Sequence, residues 1–194
     1  MIRELVFATN NKHKTEEVEK LLSGKYKVLS LTDIGCFVDI PETGNSFAEN
    51  ALLKSSYVVA HYGMDCFADD SGLEIEALNN EPGIFSARYS GNRDDAENLK
   101  LVLKKMEGIS NRRANFKTVI ALIKEGEKHL FEGVIYGNIR LEPAGEKGFG
   151  YDPIFEPEGY GITFAEMSMA QKNQISHRAL AMNKLMAFLK EEQD

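Results

Sequence analysis

Cysteine is scarce in this chain of 194 residues, since only Cys36 and Cys66 occur and neither belongs to a CxxC or Cys/His cluster. Neither a disulfide framework nor a zinc site is therefore indicated. Long apolar runs are missing too: the run at 119–123 is far shorter than the ~20 residues of a membrane-spanning helix. The first residues lead into a strand-like run unlike a signal sequence, so we expect a cytoplasmic protein with no membrane partner.

Net positive charge is also lacking, because 23 basic residues face 30 acidic ones and give a formal charge of -7. This balance argues against a protein that binds nucleic acid polymers without sequence preference. A small anionic ligand, held by a few local lysines and a metal ion, remains compatible with it. The hydrophobic content of 43% is ordinary for a globular protein, and the length predicts one domain over 1–194 with two lobes.

Two adjacent carboxylates, Asp69 and Asp70, follow the apolar residues Cys66, Phe67 and Ala68. We expect a strand that ends at Ala68, with the charged pair directly after it. Burying two carboxylates side by side costs several kcal/mol unless a cation offsets it, and oxygen ligands favour Mg²⁺ or Mn²⁺. The alternative is a solvated hairpin turn, because Asp, Ser and Gly are also common turn formers.

A polar turn at 9–14 connects a predicted strand at 4–9 to a predicted helix at 15–22. Such a turn directs backbone N–H groups and the positive end of the helix towards one point, which suits a polyphosphate. Lys12 and Lys14 add positive charge. An ordinary polar turn with solvated lysines is the alternative.

Further along, the pattern predicts strands at 26–31, 73–77, 116–123 and 130–136, the last two forming a hairpin around 125–127. A helix from Phe47 to about residue 61 is predicted, with Ser46 and Glu49 as a capping box and Gly63 as its stop. A second helix is expected from residue 94 or 95 to about Met106. A last helix carries apolar residues at 175, 180, 185 and 189.

Two more polar segments lie near the C-terminal end of the sequence. In 148–153, glycines flank Phe149, whose ring can stack on a base. The alternative is a tight turn in which Phe149 and Tyr151 fill the core. Lys172, His177 and Arg178 cluster near a predicted helix N-terminus, which can bind phosphate or a carbonyl oxygen. A solvated helix face is the alternative.

Taken in order, these segments resemble the inosine triphosphatase family of purine nucleoside triphosphate pyrophosphatases. The segments that carry the resemblance are Thr9-x-Asn11-x-x-Lys14, Glu42-Thr43-Gly44 with Glu49-Asn50-Ala51, 68–73, Pro82-Gly83 with 86–89, 149–153 and 175–178. The resemblance implies an α/β fold, with an elongated mixed β-sheet flanked by helices and two lobes with a central cleft. It also implies a homodimer and a Mg²⁺ or Mn²⁺ cofactor.

Residue roles follow from the same resemblance. Asp70 matches the catalytic acid, and Glu42 and Asp70 match the metal-binding acids. Phe149 would stack on the purine, while His177 and Arg178 would recognise the oxygen at its six-position. The substrate-binding residues implied are Thr9, Asn10, Asn11, Lys12, His13, Lys14, Lys54, Ser71, Phe149, Gly150, Tyr151, Asp152, Lys172, His177 and Arg178.

The reaction implied is the hydrolysis of dITP, ITP and XTP to nucleoside monophosphate and pyrophosphate. Three alternatives remain: a related pyrophosphatase acting on dTTP or UTP, a nucleotide-binding protein without catalysis, and a structural protein. The first would lack the segments at 149–153 and 175–178, and the second would have lost the acids. Spacing alone does not decide which of Asp69 and Asp70 acts on the water.

Overall fold

The computed structural model describes residues 3–10, 15, 18, 22 and 26–191. Within these residues, seven β-strands form one sheet in the order β2-β1-β3-β5-β6-β7, and β4 pairs with β3. The strands are β1 (Arg3–Phe7), β2 (Tyr26–Leu29), β3 (Cys66–Ile75), β4 (Glu81–Pro82), β5 (Arg113–Lys124), β6 (Glu127–Ile139) and β7 (Phe155–Pro157). β1 runs parallel to β2 and β3, whereas β3–β4 and β6–β7 are antiparallel, so the predicted mixed sheet is confirmed.

Helices flank the sheet, as predicted. In the described part of the chain they are α1 (Phe47–Tyr62), α2 (Asp95–Lys105), α3 (Met169–Ile175) and α4 (His177–Glu191). Thr15, Val18 and Leu22 are also helical and buried, in agreement with the helix expected there. None of the helices described is long and apolar enough to cross a membrane.

The chain divides into two compact units. The first comprises Met1–Asp70, Val119–Phe131 and Met182–Asp194, and the second comprises Ser71–Thr118 and Glu132–Ala181. Each has its own apolar core. The core of the first unit includes Val6, Cys36, Val58 and Cys66, and that of the second includes Leu73, Val102, Ile154 and Phe164.

Local signals set the ends of α1. Ser46 accepts a hydrogen bond from the amide of Glu49 at its N-terminus, and Gly63 adopts a left-handed conformation with φ of 65° at its C-terminus. Both were predicted. The capping box is incomplete, however, because the Glu49 carboxylate accepts from the amide of Asn45, at 2.7 Å, instead of that of Ser46.

The largest departure from the sequence prediction is β3, which continues through Asp69, Asp70 and Ser71 as one strand. The expected strand end at Ala68 and the alternative hairpin turn are both wrong. Tertiary pairing overrides the local turn preference, since Ser71 hydrogen bonds to Thr118 of β5 at 2.8 Å and Glu74 pairs with Pro82 of β4.

The first two strands, β1 and β2, are shorter than predicted, and the last predicted helix is interrupted. β1 ends at Phe7, whose carbonyl accepts the amide of Thr9, and β2 ends where Ser30 binds the side chain of Asp33. The final helical segment is split at Ser176, which has extended backbone dihedral angles and separates α3 from α4. The hairpin at 125–126 is confirmed, with both turn residues at positive φ.

Candidate active site

In the first unit, the acidic pair lies on β3 just beyond the point where β1 stops pairing with it. The parallel register ends at Phe7 and Phe67, and the amide of Ala8 then donates to the carbonyl of Phe67. Asp69 and Asp70 follow at once. They thus lie at the carboxyl edge of two parallel strands, where open α/β sheets bind ligands.

The two aspartates differ in exposure, because successive side chains on a strand point to opposite faces. Asp69 is 5% exposed, whereas Asp70 is only partly buried. Asp70 is therefore the more accessible of the two acids, which agrees with its predicted role as the catalytic residue.

Lys54 of α1 links the predicted metal acid to the aspartate pair. Its ammonium donates to Oε1 of Glu42 at 2.7 Å and to the carbonyl oxygen of Asp69 at 2.6 Å. Burial alone would lower the pKa of Lys54, but the charge of Asp69, the hydrogen bond to Glu42 and the charges of Glu42 and Asp70 outweigh it, so the pKa is raised. The three acids thus favour the charged form of Lys54.

Asn50, one helical turn before Lys54, contacts Asp70 directly. Its side-chain Nδ2 donates to Oδ2 of Asp70 at 3.0 Å, while its Oδ1 accepts the amide of Gly44 at 2.8 Å. Sequence reasoning assigned no role to Asn50. The signal available was weak: a polar residue on a helix face that also carries apolar residues such as Ala51 and Val58.

Thr9 and Asn10, the first two residues of the predicted phosphate-binding turn, are among the described residues. The hydroxyl of Thr32 donates to Oδ1 of Asn10 at 3.2 Å, and the carbonyl of Thr9 accepts the amide of Leu31. The remaining predicted contacts, Asn11, Lys12, His13 and Lys14, lie outside the described residues.

In the second unit, the segment around Phe149 is held by a buried ion pair. Asp152 and Lys172 have side chains 4% and 13% exposed and are joined by a short hydrogen bond. The same carboxylate accepts the amide of Phe149 at 3.0 Å, and the Lys172 ammonium lies 4.9 Å from the Phe149 ring centre. The Phe149 ring itself is 62% exposed and so is available for stacking.

The neighbours of Phe149 have structural contacts of their own. Gly150, at φ 59°, donates its amide to Asp95 at 2.9 Å. Tyr151 is buried in the core of the second unit, and its hydroxyl donates to the carbonyl of Ser86 at 2.8 Å. Burial raises the pKa of this phenol. The buried side chain of Tyr151 agrees with the alternative in which this residue fills the core. Its contact with substrate stays a prediction.

His177 and Arg178 occupy the first turn of α4, where Ser176 caps the helix by accepting the amide of Ala179. The His177 ring is buried and stacks face to face on Phe116, with ring centres 4.8 Å apart and an interplanar angle of 10°. Gly133 of β6 allows this helix to lie close, because a Cβ there would come within 2.0 Å of the His177 carbonyl oxygen. The ring plane of His177 is therefore fixed.

Comparison with known proteins gives consistent matches over nearly the whole chain. A model of the Ham1 family matches residues 5–188. A protein of Flavobacterium psychrophilum named dITP/XTP pyrophosphatase is 52% identical over 188 residues, covering 96% of this chain and 99% of the relative. A protein of the same name from Porphyromonas gingivalis is 50% identical, covering 97% and 98%.

Solved structures agree with this result. The Ham1 protein of Staphylococcus aureus is similar with a TM-score of 0.94 and 42% identity, covering 98% of this chain and all of the other. A structure from Mycobacterium abscessus, described as a nucleoside-triphosphatase and dITP/XTP pyrophosphatase, has a TM-score of 0.84 at 43% identity, covering 94% and 98%.

Proposed function

Because the chain belongs to the Ham1 family, we propose that it hydrolyses the non-standard purine nucleotides dITP, ITP and XTP to nucleoside monophosphate and pyrophosphate. The proposal rests above all on the acidic pair of β3, with Lys54 bound between Glu42 and Asp69 and with Asp70 accessible. Relatives named dITP/XTP pyrophosphatase at up to 52% identity support the substrate class. The dTTP or UTP alternative and the non-catalytic alternative are not favoured by these relatives.

In the proposed reaction, a water oxygen forms a bond to the α phosphorus while the bond from that phosphorus to the oxygen bridging to the β phosphate breaks. Asp70 orients the water and accepts its proton. A positioned carboxylate in this role contributes about 10²- to 10⁴-fold to the rate. Lys54, with a raised pKa, stays protonated and adds positive charge beside the phosphates.

We further propose Mg²⁺, or Mn²⁺ in its place, as the cofactor, held by Glu42 and Asp70. Bound there, the ion would neutralise phosphate charge. No group of three or more His, Cys, Asp or Glu suited to a metal occurs among the residues described. Two carboxylates nevertheless fit, since Mg²⁺ is commonly bound by one or two carboxylates together with substrate phosphates and water.

The second unit supplies the proposed recognition of the base. Phe149 stacks on the purine. The side chains of His177 and Arg178 donate hydrogen bonds to the oxygen at the six-position of the purine. Adenine presents an amino donor at that position, so binding ATP would leave buried donors unpaired, which costs affinity. The fixed plane of the His177 ring against Phe116 supports this reading, because a fixed donor discriminates better than a mobile one.

Two further proposals concern the protein as a whole. We propose a homodimer, supported by the exposed aromatic ring of Phe85, which lies beside Arg88 at a surface pocket of about 440 Å³. Light scattering after gel filtration would measure the mass of the protein in solution, and the mass of a monomer would refute the homodimer.

We also propose a cytoplasmic location, supported by two buried cysteines that are both free thiols.

The function is tested by pyrophosphate release from the purified protein in Mg²⁺, comparing dITP, XTP, ATP, GTP and dTTP. Fast release from dITP and XTP with little from ATP is expected. A preference for dTTP would contradict the substrate class, and tight binding of dITP without release would contradict the chemistry.

A further inference from the structure

Asn50 is buried completely and its two hydrogen bonds join two parts of the first unit. Its Oδ1 accepts from the backbone amide of Gly44, and its Nδ2 donates to the carboxylate of Asp70. A backbone amide only donates, so the atom that faces Gly44 must be the side-chain oxygen. The amino group is thereby directed at Asp70, and the orientation of the amide follows from chemistry alone.

Gly44 is the residue that makes this arrangement possible. A Cβ at position 44 would lie 2.6 Å from the Cβ of Glu49 and 2.9 Å from Oδ1 of Asn50. Such distances are too short for a real Cβ, so any other residue would push the segment away from the helix. Glycine here allows the backbone to approach the Asn50 side chain closely.

We infer that Asn50 is a positioning residue that holds the carboxylate of Asp70 in its reactive orientation, with the amide of Gly44 fixing the direction of its side chain; this inference rests on the proposed function of Asp70. One oxygen of Asp70 accepts a hydrogen bond from Asn50, which restrains rotation of the carboxylate. The other oxygen keeps a defined direction, which is what a group that orients a water needs.

A simpler role for Asn50 would be to hold the loop at Gly44 in place. Asn50→Leu removes the donor to Asp70 without adding a charge beside it. If Asn50 only holds the loop, this variant loses stability but keeps wild-type turnover, because Lys54 still binds Glu42 of that loop. If Asn50 positions Asp70, kcat falls about ten- to hundredfold, the range seen when a residue supporting an active-site ligand is lost.

Asn98 offers a matched control. It is also buried, also the fourth residue of its helix, and its Oδ1 also accepts a backbone amide, that of Ser90 at 2.7 Å. Its Nδ2, however, donates to the carbonyl of Ala87 and not to a carboxylate. Asn98→Leu should therefore lower the melting temperature about as much as Asn50→Leu while leaving kcat unchanged.

The experiment measures kcat and KM for dITP, melting temperature, and calorimetric binding of α,β-methylene-dITP in Mg²⁺ for wild type and both variants. Asn50→Leu is expected to lower kcat with little change in KM or analogue binding, a split that a damaged fold would not give. Wild-type kcat in Asn50→Leu, or an equal loss in Asn98→Leu, would overturn the inference.

Gly44→Ala covers the case in which Asn50→Leu does not fold. It keeps every functional group but forces the segment at Gly44 and the Asn50 side chain apart, so kcat should fall while the protein stays folded; a folded Gly44→Ala with wild-type kcat would also overturn the inference. Failure of the proposed function is seen separately, as absence of pyrophosphate release from dITP by the wild-type protein.

Discussion

The ammonium of Lys54 donates a 2.7 Å hydrogen bond to Oε1 of Glu42, the acid that we propose as a metal ligand. The two residues are 12 positions apart, on a loop and on α1, and both side chains are largely shielded from solvent. The pair therefore has two consequences. It stabilises the first unit, and it keeps positive charge beside the acids before any substrate binds.

Replacing Lys54 by Met should cost roughly 1–3 kcal/mol of unfolding free energy, because the pair is partly buried and lies between the ranges for exposed and for buried ion pairs. Glu42 and the carbonyl of Asp69 would lose their donor. The measurement is chemical denaturation at pH 7. Lys128→Met, which removes an exposed lysine from the same unit, is the control and should change stability little. Equal stability of Lys54→Met and wild type would refute the expectation.

The same lysine predicts a pH dependence. Its pKa is raised above the ordinary value of 10.5, so the folded protein binds this proton more tightly than the unfolded chain. The stability from Lys54 is thus fully present below pH 10.5 and is lost as the pH rises through the higher folded value. The stability difference between wild type and Lys54→Met should be constant from neutral pH to about pH 10 and shrink above it. A difference that declines already below pH 9 would contradict this.

Asp70→Asn should lower turnover at least about a hundredfold, because an amide cannot accept the proton of the attacking water. The variant should remain folded, since Asp70 is only partly buried and asparagine has nearly the same shape. Pyrophosphate release from dITP measures the effect. Asp39→Asn makes the same charge change at an exposed position of the same unit and serves as control. Near wild-type turnover in Asp70→Asn would remove Asp70 from the mechanism.

Phe149→Ala should raise KM for dITP by roughly tenfold, because stacking of a base on an aromatic ring is worth about 1–3 kcal/mol. The melting temperature should hardly change, since the ring is 62% exposed. Phe149→Tyr should restore KM, and Leu141→Ala, at a position 80% exposed in the same unit, should not affect it. An unchanged KM in Phe149→Ala would exclude the stacking role.

Both thiols should be inert in the native protein. Cys36 and Cys66 are fully buried in the core of the first unit, and burial raises the pKa of Cys66. The thiolate of Cys66, which is the reactive form, is therefore scarce, and both sulfur atoms are inaccessible to reagents. We expect no reaction with Ellman's reagent at pH 8 and reaction of both cysteines after denaturation. Rapid labelling of the native protein would show that the core opens easily.

The sequence predicted well where the signals were local. Ser46 caps the start of α1 and Gly63 its end, as expected, and the turn at 125–126 joins β5 to β6. Prediction failed at β3, because Asp, Ser and Gly favour turns locally and only pairing with β4 and β5 keeps the strand extended. Asn50 was missed for a related reason, since its partners are 6 and 20 positions away and no local pattern brings them together.

The continuity of β3 restricts how the substrate range of this protein can evolve. A single residue inserted between Cys66 and Asp69 would turn every following side chain to the opposite face of the sheet and so exchange the accessible and buried aspartates. Insertions and deletions, a common source of new specificity in loops, are thus excluded at the reacting acid. New substrates must be acquired by changes elsewhere, in connecting segments such as 140–151, whose length can vary without altering the register of the strand.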